Sequence, residues 1–102
     1  MIHIFLKDIF AVHPDAAQAG YALANAAKAA LDKHEIINFD MEGEMGVSTV
    51  FLNASLGHLM DHYGVDKVRK SFRFSNILRS QASRITKYFE DYEKIYFPET
   101  SN

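Results

Sequence analysis

The densest chemistry in this 102-residue chain falls within ten residues: the carboxylates Asp40, Glu42 and Glu44, then the hydroxyls Ser48 and Thr49. Crowded carboxylates can hold a divalent cation, or divide into an acid and a base when one of them keeps its proton. No nucleophile, lysine or histidine adjoins the three, and a polar turn exposed to water is the commoner explanation of such a run. Ser48 suits the N-cap of a helix, where its oxygen would accept a backbone N–H. The same position offers other chemistry, because the free N–H groups and dipole of a helix start would stabilise a phosphate on Ser48 or Thr49. His58 and His62 stand four apart with Asp61 beside them, a spacing that can bring two imidazoles to one metal. The glutamate that a zinc protease needs after the first histidine is missing, and no third ligand is evident. The pair reads as a solvated helix edge, and no metal is expected.

These residues need elements to place them. Ile37, Phe39 and Met41 alternate with Ile36, Asn38 and Asp40, which predicts a strand over about 35–41 ending at the carboxylates. Glycines 43 and 46 mark the turn, and a helix follows from Ser48 to about Tyr63 with an apolar stripe through Phe51, Leu52, Leu56 and Leu59. Gly57 inside that helix implies close approach of a neighbouring backbone, and Gly64 a left-handed cap after it. Upstream, Ile2, Ile4 and Leu6 alternate as a strand, with Ile9, Phe10 and Val12 as a second short strand or extended arm. An alanine-rich helix then runs from about Pro14 to Lys33, proline at its first position and Asp15 at the positive end of its dipole. Downstream, the alternation of Val68, Phe72 and Phe74 predicts a strand over 67–74. Ser75 or Asn76 then caps a last helix reaching about Tyr96, with Pro98 ending it and a frayed tail beyond.

Strand, helix, strand, helix, strand, helix is the order of an α/β domain with parallel neighbours. All three strands alternate rather than running continuously apolar. Helices are therefore expected mainly on one face, leaving Phe5, Ile36, His3, Arg69 and Arg73 on a partly open face suited to self-association.

Composition bounds the rest. The length fits one domain, residues 1–102, with an ordered core at about 2–97. Cysteine is absent, so thiolate metal sites and disulfides are excluded. Lys7 and Asp8 interrupt the N-terminus too early for a signal peptide, and no stretch approaches the about 20 apolar residues of a membrane span. A cytoplasmic protein is expected. The net charge of −2 is unevenly spread: six acids and no lysine or arginine from His34 to Asp66, then seven bases and no acid from Lys67 to Lys87. Such polarity suits contact with a protein partner or a second copy, although each block also reads as the solvated face of its own element. Nucleic acid is not expected, since the total charge is negative and Phe72 and Phe74 suit a core. No phosphate loop, serine elbow or dinucleotide fingerprint is present, and neither an enzyme nor a cofactor is implied.

The pattern INFDMEG, a short turn, then VSTVFLNASLGHLM resembles the bacterial STAS-like domains of unknown function. The positions that carry the likeness are Asp40, Gly43, Ser48, Thr49, Phe51, Asn53 and Gly57, with Gly20 and Leu23 before them and Asn76 after. The similarity covers about residues 2–96. It implies a mixed, mostly parallel sheet of four or five strands with three main helices largely on one face. In the related anti-sigma factor antagonists, a serine at the start of the helix after the motif strand is phosphorylated by a switch kinase, which controls partner binding. Aligning the Asp-x-x-Gly strand end puts Thr49 at the phosphoacceptor position and Ser48 where the antagonists carry aspartate. Val50 and Phe51 stand where they have serine and glycine. The resemblance implies a non-enzymatic regulatory module paired with a histidine-kinase-type ATPase. Its candidate contacts are Asp40, Glu42, Glu44, Ser48 and Thr49; Gly43, Phe51, Asn53, Gly57 and Asn76 are structural signature. The alternatives are a small-ligand or cation site on the three carboxylates, or a structural homodimer.

Overall fold

The computed structural model describes residues 1–43 and 47–96, so that Glu44 and the rest of its turn, and the tail from Phe97 with Pro98, lie outside the described residues. Three strands, β1 (Ile2–Phe5), β2 (Ile37–Asp40) and β3 (Phe72–Ser75), lie in the order β1-β2-β3, both pairings parallel. The sheet thus has three strands among the described residues, not four or five, and it is parallel throughout rather than mixed. Five helices, where the resemblance implies three main ones, accompany it among the described residues: α1 (Leu6–Val12), α2 (Ala16–Asp32), α3, α4 (Val65–Ser71) and α5 (Arg79–Tyr96). Helix α3 is continuous from Thr49–Leu52 through a π turn at Asn53–Gly57 to His58–Tyr63.

Register explains which side chains form the core. Ile2, Ile37 and Phe72 stand abreast, as do Ile4, Phe39 and Phe74, so one face of the sheet is entirely apolar. Helix α2 covers it with Ala19, Leu23, Ala27 and Leu31, and α3 with Phe51, Leu56 and Leu59, all buried. The opposite face presents His3, Asn38 and Arg73 in one row and Phe5, Asp40 and Ser75 in the next. Asn38 Nδ2 lies 3.3 Å from His3 Nδ1 and donates to Ser75 Oγ at 3.2 Å, tying the three strands across this face. The expected open face is present, with Phe5 39% exposed on it.

Several local expectations are corrected. Ile9 to Val12 belong to α1 rather than to a strand, because Leu6, Ile9 and Phe10 fall on one helical stripe against the core. Pro14 precedes α2 instead of opening it; Asp15 is the cap, its carboxylate accepting from Gln18 N at 3.0 Å. The segment 67–71 is helical: Val65, Val68 and Ser71 bury one stripe, with Asp66 in the first turn and Arg69 and Lys70 in the last, as the dipole favours. Arg69 therefore leaves the sheet face and pairs with Glu93 at 2.6 Å. Gly64 does take a positive φ of 91°, but with ψ 155°, a corner between α3 and α4 rather than a left-handed cap. Neither Ser75 nor Asn76 caps the last helix. Gln81 Oε1 instead accepts from Leu78 N at 2.9 Å, the back-reaching half of a capping box.

The backbone approach expected at Gly57 belongs to Gly20. A methyl on Gly20 would lie 2.6 Å from Ala54 Cβ and 2.7 Å from the Phe51 carbonyl oxygen, so α2 meets the π turn of α3 with nothing between them. At Gly57 the close neighbour is a side chain, the hydroxyl of Tyr88.

Candidate functional site

The end of β2 is built around Asp40. Its Oδ1 accepts from Glu42 N at 2.9 Å and its Oδ2 from Asn76 Nδ2 at 3.0 Å. The first bond folds the chain back at once after the strand, and Gly43 follows at φ 115°, open to glycine. Asn76, itself left-handed at φ 51°, ties the exit of β3 to the exit of β2, which is the physical content of its place in the motif. The Glu42 N–H above all, then the Asn76 amide and the charges of Lys7 and His3, hold the Asp40 carboxyl below its usual pKa despite partial burial. Both oxygens of Asp40 are thus already held by donors, while Glu42 is exposed to solvent. Glu44 lies outside the described residues.

Across the turn, Ser48 caps α3 as expected: extended at φ −85° and ψ 161°, it accepts from Phe51 N at 3.1 Å through Oγ. Thr49, the first helical residue, is exposed, and its Oγ1 accepts from Arg84 Nη2 at 2.7 Å. The two hydroxyls therefore differ in role. Ser48 spends its oxygen on the helix, whereas Thr49 presents its own to solvent beside a guanidinium. Arg84 is a functional candidate that the sequence does not single out. It is one of seven bases in its block, 35 residues beyond Thr49, and only the packing of α5 on α3 unites them.

That packing has a repeating seam. Arg84, Tyr88 and Tyr92 recur every fourth residue on α5, and they reach Thr49, Asn53 and Asp61 on α3 in turn. Tyr88 donates to Asn53 Oδ1 at 2.7 Å, and its hydroxyl lies against Gly57, so two motif residues serve one tyrosine. Phe51 is buried against Phe10 with ring centroids 5.5 Å apart, a packing residue as expected. Within the π turn, Ser55 is fully buried and its hydroxyl is satisfied by donating to the Phe51 carbonyl at 2.7 Å. The histidines diverge: His58 meets the ring of Tyr21 edge-on, and His62 that of Tyr63. Among the described residues no group of three or more His, Asp or Glu is placed to hold a metal ion. No helix among them is long and apolar enough to cross a membrane.

A parallel sheet with helices banked on one face, and a capped helix start beside the end of its middle strand, defines an open-faced α/β domain. The chain belongs to the STAS-like domains of unknown function (DUF4325), whose family profile matches residues 22–80. No curated protein and no solved structure matches it. The matched span holds Asp40, Gly43, Ser48, Thr49, Phe51, Asn53, Gly57 and Asn76, and stops short of Arg84 and Tyr88.

Proposed function

We propose that this domain is a non-enzymatic regulatory module that binds a protein partner through the Asp40–Glu42 strand end and the start of α3. In this reading the partner is a histidine-kinase-type ATPase and the switch is phosphorylation of Thr49. The observation that carries it is the exposed Thr49 hydroxyl held at 2.7 Å by Arg84. The γ-phosphoryl group of ATP would pass to Thr49 Oγ1, with ADP leaving and the hydroxyl proton released to the partner's base or to water. The product dianion would sit at a helix start beside a guanidinium, so that the present bond from a cation to a neutral hydroxyl becomes a bidentate ion pair. Ser48 is the weaker acceptor because its oxygen already serves the Phe51 N–H.

The test uses a candidate ATPase of the histidine-kinase fold. After incubation with ATP, intact mass should show one added phosphoryl group, absent from Thr49→Ala and retained in Arg84→Ala. Absence of both phosphoryl addition and co-elution with the ATPase removes the reading. Calorimetry with Mg²⁺ and Ca²⁺ on the same sample addresses the other use of this turn. A cation-dependent heat lost in Asp40→Asn would move the assignment to a carboxylate site.

A further inference from the structure

We propose that the outer edge of β3 and the face of α5 beside it form a second binding site, for an extended, apolar segment of a partner protein that carries a carboxylate. A groove of about 590 Å³ lies there, floored by Phe74, Ile77, Ile85 and Phe89, with Arg69, Arg73 and Glu90 on its rim. Its size falls among the clefts of roughly 300–1,000 Å³ that bury a ligand. The groove follows α5 from Ala82 to Glu90, about 12 Å of helix, which matches about four residues of strand.

Three observations say what fits. The first is the strand edge. Met41 N donates to Ser75 O, so the peptide groups of Ser75 and, by alternation, Arg73 face β2, and those of Phe72 and Phe74 face away from it. Phe72 N–H is taken by Val68 O at the end of α4, and its carbonyl accepts from Arg73 Nη1 at 3.1 Å. Phe74 is thus the residue whose N–H and C=O are turned to the groove unclaimed by β2, and a partner backbone laid beside it would gain a hydrogen-bonded pair. The second is charge. Arg69 already holds Glu93, but no carboxylate among the described residues pairs with Arg73, which spends Nη1 on two carbonyls and keeps its other donors for an acid. The third argues against a second copy as the occupant: two β3 edges brought together would set one Arg73 near the other. This site uses a different face of α5 from the Thr49 seam, so it stands whether or not Thr49 is a switch.

The experiment is selection of a phage-displayed library of random twelve-residue peptides on the immobilised full chain. The expected winners alternate apolar residues and include an acid. As synthetic peptides they should shift the amide signals of Phe72–Ser75 and of residues 82–90. Arg73→Glu should weaken them about tenfold, the loss of one charge-assisted contact. Thr86→Trp, an exposed change at the groove, should block them by filling the space, and thermal melts of both variants verify folding. Methylating the peptide nitrogen opposite Phe74 should weaken binding if the main chain pairs. No enrichment, winners without an acid, shifts mapping elsewhere, or full affinity in Arg73→Glu would each overturn the site. So would tight binding of a small carboxylate with no effect of N-methylation, which would make it a small-molecule cleft.

Discussion

Asp40 carries a structural task alongside any part it has in binding. Its carboxylate accepts from one group on the turn and one on the exit of β3, so it closes two strand ends, and its lowered pKa follows from those bonds. A depressed carboxyl contributes stability above the unfolded pKa, about 3.9, and loses it as pH falls through the folded value. Asp40→Asn is therefore expected to lower the urea midpoint at pH 7, with the difference from wild type shrinking below about pH 4 as the native carboxyl is protonated. Asn76→Ala should raise the Asp40 pKa toward its ordinary value in an NMR titration of the side-chain carbonyl. An unchanged titration would mean that the Asn76 bond does not hold in solution. Tyr63 carries the opposite sign. The Asp32 carboxylate that accepts its hydroxyl at 2.7 Å raises its pKa, so that this contribution is present below about pH 10 and disappears as pH rises through the folded value.

At the scale of elements, α3 holds the domain together by being imperfect. Its π turn widens the helix where α2 crosses at Gly20 and where Tyr88 reaches Gly57. Gly20→Ala gains up to about 1 kcal/mol of helix propensity, yet forces a methyl against backbone; a net loss of about 1–3 kcal/mol in chemical denaturation is expected. Gly57→Ala is subtler, because its obstacle is a hydroxyl. The ring carbon behind that hydroxyl lies 3.6 Å from the added methyl, an ordinary contact. Gly57→Ala should destabilise the wild type but cost markedly less in Tyr88→Phe, a coupling visible in a double-mutant cycle. Additive effects would place the strain elsewhere. Some of this is readable from the sequence: Ser48 as cap follows from residue type alone, whereas the backbone approach expected at Gly57 is found at Gly20. The partner of Gly57 does not follow, since nothing in the local sequence says that a tyrosine 31 positions on will meet it. The stretch 67–71 is helical where its alternation predicts strand, for a related reason. Over so few residues, Val65 and Val68 at helical spacing and Val68 and Phe72 at strand parity are the same signal, and only packing against the core decides.

For the whole molecule, the alternation in each strand correctly implied a sheet dressed on one side, which is unusual for parallel strands. What it did not reveal is how little area that bare side offers. Three strands spaced by about 4.8 Å and four residues rising about 3.3 Å each make a surface far below the roughly 800 Å² per partner of a stable interface. Its rows are also mixed, with Asn38 already bonded to Ser75 and Asp40 to Asn76, so that Phe5 is the one large apolar side chain that the paired residues of the three strands, which do not include Ile36, present on this face. Self-association resting on this face alone should therefore be weak. The chain is expected to sediment as a monomer at micromolar concentration, and Phe5→Glu to leave that behaviour unchanged. A wild-type dimer dissolved by Phe5→Glu would show that flanking surfaces join the sheet face in a larger interface, and would restore the homodimer to the front of the functional readings.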